Sequence, residues 1–392
     1  MRIPYFLRAI LFLLFFPGLL SPAAAVPARD IVIAQSVDLS GPLGYIGQDY
    51  LTGAKVYFDH VNASGGINGR KITHLVMDNA GSTEKSAHIN QQFLLSGQKI
   101  DAFFGYFGEG SLETLLSNGA FKSSGIPLLA PLSGGEAGEQ DKNVFFIRPG
   151  FDGEAVKLAG PMLSSGLTRV AVVYSANNDG KSALKAVEAM LAGKSALKAV
   201  EAMLAGRNMK LAGKYPIMAD GSGLDAAIKA AFSTRPQAII LALDTLPAAQ
   251  FVKNYRRLDA GAFMLGLSRI DHKILFDIAG KDLAAGVMIA QVVPHPGDWK
   301  VPVVIEHRKI MEIYRDEAPS HLTLEGFIAA KMLVSTMRKL GKDFTPMQLG
   351  DALRTSRRMD IGGYYLDFSP SRNRGSSYVD INAISRNGKL LN

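Results

Sequence analysis

SVDLSGPLGYIGQDYLTGAKVYFDHVNASGGINGRKI, residues 36–72, holds the end of one strand, a helix, a turn and the start of the next strand. The first strand is DIVIAQSV, residues 30–37, a short β-branched run stopped by Ser40-Gly41-Pro42. Apolar side chains then recur at helical spacing over residues 50–61, at Ala54, Phe58 and Val61. NASGGING, residues 62–69, is a dense turn cluster, and residues 71–77 read as the second strand. Short buried strands alternating with helices predict parallel β/α layers.

Outward from this unit the alternation continues. Residues 84–96 read as a helix, 102–107 as a strand, 112–121 as a helix and 127–130 as a strand. A break falls at 145–150. The pattern restarts with a strand at 169–174, a helix from Lys181, a helix at 224–232 and a strand at 238–243. A helix at 248–258 and strands at 263–266 and 286–293 follow. Two helical stretches, 303–314 and 324–340, suggest that the chain returns late to its first unit. A length of 392 residues fits two domains.

Composition excludes several classes. With 47% hydrophobic residues the chain has too much apolar surface to stay open. No cysteine is present, so disulfides, thiolate zinc sites, iron–sulfur clusters and a cysteine nucleophile are ruled out. The net charge of +8 is spread in pairs such as Arg256-Arg257 and Arg357-Arg358 rather than in a stripe, so no nucleic-acid partner is expected.

The N-terminus reads as an address. Arg2 and Arg8 precede a 12-residue apolar run, residues 9–20, and Ala23-Ala24-Ala25 offers a cleavage site. This three-part pattern predicts a cleaved signal peptide over residues 1–25 and a periplasmic mature protein. A membrane-spanning helix needs about 20 apolar residues, and no later segment reaches that length.

KSALKAVEAMLAG occurs twice in tandem, at 181–193 and 194–206. Solenoid units are longer and come in at least about three copies, so this is read as a local duplication within one helix. Leu184, Val187 and Leu191 form a helical stripe, repeated at Leu197, Val200 and Leu204. In one straight helix the two stripes would face different sides, so one copy is expected to lie largely outside the core. Gly193 is a candidate break between them.

The search for catalytic motifs is negative. H-E-x-x-H, the phosphate-binding P-loop and G-x-S-x-G are all absent. The seven histidines are scattered and contain no i,i+4 pair for a metal. No enzyme activity, cofactor or metal is therefore expected. In open parallel sheets ligands sit beyond the C-terminal strand ends. That directs attention to the loops at 39–47, 108–111, 131–135, 175–180, 244–245 and 267–269.

Residues 36–72 resemble the opening of the leucine/isoleucine/valine-binding proteins, which are type I periplasmic binding proteins serving ABC transporters. The carriers are a Ser-Gly-Pro loop, a helix and an Asn-x-x-GGI-x-G turn. GIPLLAPLSGG (125–135), VAVVYSANNDG (170–180) and TLEGFIAAKMLV (323–334) are similar as well. The resemblance implies an α/β fold of two doubly wound parallel-sheet lobes joined by three crossovers, near 146–149, 291–294 and 364–368. The N-terminal lobe would comprise 29–147 plus 293–365, and the C-terminal lobe 148–292 plus 366–392. It also implies a monomer that captures a small polar organic solute and delivers it to an ABC membrane permease. The solute would be an amino acid, an amino-acid-like molecule or a small carboxylate. A ligand sensor reporting to a membrane regulator, and a secreted α/β hydrolase, are alternative readings.

The resemblance carries over a pocket residue by residue, with departures. The hydroxyl expected at one carboxylate-holding position is Glu109 here, followed by Gly110 and Ser111. Ser133 and Gly134 match the second such loop. On the other lobe Asp179 and Asp244 stand at aromatic positions, and Ser268 replaces the acid that pairs with the ligand's ammonium. Asp179 or Asp244 could substitute for that acid; otherwise an ordinary branched-chain amino acid is not expected. Tyr45 is the candidate aromatic cover.

Overall fold

The computed structural model describes residues 29–194 and 209–391. The expected signal peptide and nearly all of the second 13-residue copy lie outside the described residues.

The first sheet contains β1 (Ile31–Val37), β2 (Ile72–Asp78), β3 (Ala102–Phe104), β4 (Leu128–Leu129) and β5 (Val144–Phe145). Their order is β2-β1-β3-β4-β5, with every pair parallel. Helices α1 (Gly44–Ala63), α2 (Thr83–Leu95), α3 (Glu109–Leu116) and α4 (Gly119–Ser124) link them. Along β1, Ile31 and Ile33 join one apolar core while Val32 and Ala34 join another. Both faces are covered, which is why the strand reads as a continuous apolar run.

The second sheet is reached through α5 (Phe151–Ser164). It runs through β6 (Arg169–Ser175), α6 (Asn178–Leu191), β7 (Lys210–Ile217), α7 (Leu224–Thr234), β8 (Ala238–Ala242), α8 (Thr245–Tyr255) and β9 (Phe263–Gly266). Helices α9 (His272–Ala279) and α10 (Lys281–Ala284) then lead to β10 (Met288–Gln291). β8 likewise splits its residues, with Ile239 and Leu241 in one core and Ala238 and Ile240 in the other. The chain returns to the first sheet in α11 (Pro302–Tyr314), α12 (His321–Leu340), α13 (Pro346–Arg354) and the hairpin β11 (Met359–Asp360) and β12 (Tyr365–Leu366). It ends in β13 (Asp380–Ile384) and β14 (Leu390–Leu391), which complete the second sheet in the order β14-β13-β10-β9-β8-β6-β7. Both are antiparallel to their neighbours, so the second lobe is parallel only from β7 to β10.

Helix α12 docks on α1 because two glycines let the backbones touch. A Cβ on Gly53 would stand 1.8 Å from the Thr323 carbonyl oxygen, and one on Gly326 2.0 Å from that of Tyr50. At the waist the Tyr364 hydroxyl lies 2.8 Å from the Ile147 carbonyl oxygen and 3.1 Å from that of Val292. Its single proton serves either acceptor. These three residues belong to the three crossovers implied by the resemblance.

Several elements escape the sequence pattern, among them α5, β7, α9, α13 and β13, and the helix expected over 112–121 is two, α3 and α4, because Asn118 caps a new start. Helix α5 carries Gly153, Gly160 and an internal Pro161, which interrupt its periodicity. β7 contains Gly213 and Pro216 and is polar at several positions, which an edge strand tolerates. In the first 13-residue copy Ala183, Leu184, Val187 and Met190 are buried against the second sheet. The helix ends at Leu191, and Gly193 takes a left-handed φ of +66°. No described helix is long and apolar enough to cross a membrane.

Candidate ligand-binding cleft

The loops after the strands of the two sheets meet across a closed cleft. At the start of α3 the Glu109 amide donates to Asp179 Oδ2 of α6 at 3.2 Å. Ser182 Oγ donates to Glu109 Oε2 at 2.6 Å. Asn178 Nδ2 donates to Glu113 Oε2 at 3.1 Å, and Lys185 pairs with Glu136 at 2.7 Å on the rim. Burial lifts the Glu109 carboxyl above its usual range, against the Ser182 hydrogen bond, with Asp179 lifting it further.

Two cavities lie along this cleft and share Phe107 and Arg269. The inner one, of about 30 Å³, has room for one or two waters. Tyr45, Ile46, Leu132, Val292 and Val293 give it apolar walls, and Arg148, Ser268, Gln291, His321 and Glu325 give it polar ones. The outer one, of about 310 Å³, is lined by Asp38, Asn79, Gly110, Ser111 and Asp179 among others.

Arg269 organises the second lobe's side. Its Nε donates to Asp244 Oδ1 at 2.7 Å and its Nη1 to Asp179 Oδ1 at 3.1 Å. Its guanidinium stands 5.1 Å from the Phe107 ring centroid of the first lobe. Both acids that were candidates for pairing with a ligand ammonium are thus held by one arginine.

A second network surrounds Arg148 in the first crossover. Its Nη2 lies 3.4 Å from Glu154 Oε1 of α5 and hydrogen-bonds Ser268 Oγ, and its Nη1 lies 3.6 Å from Glu325 Oε1 of α12. Glu154 also accepts from the Ser268 amide at 2.7 Å and from Ser268 Oγ at 2.9 Å. Ser268, at the expected acid position, therefore has a carboxylate directly behind it. Burial lifts Glu325 above the usual carboxylate range, opposed by Arg148 and reinforced by Glu154. The Tyr45 hydroxyl is pushed up to about 12, chiefly by burial.

The residues singled out from sequence thus separate. Tyr45 and Ser268 line the inner cavity, and Gly110, Ser111 and Asp179 the outer one. Glu109, Ser133, Gly134 and Asp244 line neither. Ser133 Oγ accepts from the Gly135 amide at 3.2 Å. The Gly134 carbonyl accepts from the Phe151 amide at 2.7 Å, which fixes the start of α5. Any Cβ on Gly134 would meet the Phe151 ring at 2.6 Å. Sequence reasoning missed Arg148, Glu154 and Glu325. The available signal was a charge inside an apolar run, as in FFIRPG (145–150) and LEGFIAAKML (324–333).

Comparison with known proteins fits this architecture. The profile described as periplasmic binding protein matches residues 30–388. The crystal structure of a substrate-binding periplasmic protein from Ralstonia solanacearum is 30% identical, with a TM-score of 0.82, covering 92% of this chain and 99% of that one. A branched-chain amino acid ABC transporter structure from Thermus thermophilus with bound valine shares the fold at 16% identity and a TM-score of 0.78, covering 93% and 96%. An amino acid binding protein from Pseudomonas aeruginosa is 27% identical over 165 residues, 41% of this chain; the match spans 43% of that relative's length. The family is one of binding proteins rather than enzymes. With its profile matched over residues 30–388 and two lobes closing on a buried polar cleft, the chain belongs to the periplasmic binding protein family.

Proposed function

We propose that this chain is the periplasmic solute-binding component of an ABC importer. It captures a small polar organic solute between lobes bounded at 29–147 plus 293–365 and 148–292 plus 366–392, and presents it to a membrane permease. The observation that carries this reading is the set of cross-cleft bonds from Glu109 and Glu113 to Asp179, Ser182 and Asn178, which join the lobes without covalent linkage. Such contacts break and re-form as the lobes open and close, with the crossovers absorbing the change. Tyr45, Ser268 and Arg269 at the inner cavity, and Gly110, Ser111 and Asp179 at the outer one, are the side of the cleft that a solute meets. Export through the N-terminal 25 residues and a monomeric state complete the proposal.

Mass spectrometry of whatever small molecule leaves the purified protein on denaturation identifies the solute. Small-angle scattering with that solute should give a smaller radius of gyration than the protein stripped of it. An unchanged radius despite tight binding overturns the two-lobe clamp.

A further inference from the structure

The charges around the inner cavity do not balance. Arg148 is one cation between two carboxylates, Glu154 of the second lobe and Glu325 of the first, and all three are at least 96% buried. Glu154 has the better share. It bonds the Ser268 amide and hydroxyl and the Arg148 guanidinium. Glu325 has only a 3.6 Å approach from Arg148, longer than a hydrogen bond, and its buried Oε1 accepts no hydrogen bond.

Two buried groups beside Glu325, His321 Nε2 and Arg148 Nε, have no hydrogen-bond partner and so do not satisfy it, and the remaining polar groups are committed elsewhere. The Tyr50 hydroxyl donates to the Ala130 carbonyl at 2.8 Å, and that of Tyr364 faces the Ile147 and Val292 carbonyls. Asp179 and Asp244 belong to Arg269. A buried carboxylate with an unmet acceptor is costly, and a cation or strong donor beside it removes the cost. Glu325 lines the inner cavity, so a solute in the cleft can supply that group.

We propose that Glu325 on α12 is the residue that selects the solute, by pairing with a cationic nitrogen that balances the Arg148–Glu154–Glu325 cluster. This deepens the solute-capture reading and rests on it. The acid is then contributed by the first lobe, rather than by the second-lobe loop where Ser268 now stands. A solute whose only charge is a carboxylate would find just the Arg148 Nε unpaired, with two glutamates beside that guanidinium to repel it, and is disfavoured.

Three probe series on common skeletons test this: alkyl and arylalkyl amines from ethylamine to phenethylamine, the matching carboxylates and the matching neutral amides. Binding to the full-length mature protein, stripped of solute, is read by thermal shift and calorimetry at pH 7. At least one amine should bind at least tenfold more tightly than its carboxylate and amide partners. Glu325→Gln, which keeps shape and removes charge, should lose at least tenfold in amine affinity. A carboxylate or amide series that binds best overturns the proposal, as does a Glu325→Gln variant that keeps amine affinity within twofold. Should that variant not fold, the ranking of the three series on the parent decides alone. A released solute without a cationic nitrogen overturns this inference and leaves solute capture standing. No released solute and no binding in any series overturns both.

Discussion

Ser182 Oγ, one turn into α6, donates to Glu109 Oε2 at the head of α3 across the cleft at 2.6 Å. The bond joins the lobes where their helices begin, and it makes Glu109 a latch rather than a surface of either cavity. Removing its donor should favour the open form. Ser182→Ala is expected to cost about 1 kcal/mol of closed-state stability, near a fivefold loss of apparent solute affinity. Titration calorimetry with the released solute checks this, and affinity equal to the parent would disprove the latch.

Glu325 sets a pH dependence of stability. Burial raises its folded-state pKa above the unfolded value, so the folded state holds its proton more firmly. Stability is therefore lost as pH rises from the unfolded pKa, about 4.3, through the raised one. Glu325→Gln mimics the protonated form, and Arg148 keeps Glu154 as its partner. The variant should melt higher than the parent at pH 7, with the gain fading towards pH 4. A lower melting temperature at pH 7 would mean that the Arg148–Glu325 pair is net stabilising.

Ser133 and Ser268 should behave differently. Ser268 faces the inner cavity, while Ser133 is 1% exposed and bonds its own loop. Ser268→Ala should lower solute affinity by on the order of 1 kcal/mol, and Ser133→Ala should leave it near the parental value. The reverse ranking in the same titration would move the binding surface to the loop after β4.

His307 on α11 is fully buried, packed 5.2 Å centroid to centroid against Phe327. Burial, aided by Arg308, holds its pKa at about 3. The unfolded chain takes up this proton near pH 6.5 while the folded one does not, so stability falls as pH drops from there towards 3. Between pH 7 and 4 the parent should lose about 3 kcal/mol more than His307→Leu. Urea titrations of both proteins at the two pH values measure it, and parallel losses would refute it.

Deleting either 13-residue copy produces the same shortened chain, because the copies are identical and adjacent. One copy already supplies the buried stripe of α6, and Gly193 ends that helix. The shortened protein should fold, bind the same solute and melt at an equal or higher temperature. A clear drop in melting temperature would make the second copy integral to the fold.

The sequence alone determined the alternating layers and the late return of the chain to the first sheet. Buried parallel strands must be apolar throughout, crossover helices need one apolar stripe, and turns need Gly, Pro and Asn; each constraint is local and written in order along residues 30–77. Local rules failed where the local signal was weak, at the Pro-interrupted α5 and the edge strand β7. What the tertiary structure alone decided is who partners whom in the cleft. Arg269 could be seen beside Ser268 in sequence, yet its claim on both Asp179 and Asp244 depends on three loops 25 to 90 residues apart converging. Glu325 reads as one charge in an apolar helix. Only packing that helix against α1 brings it to Arg148, because a buried charge is defined by its distant neighbours and not by the residues beside it in the chain.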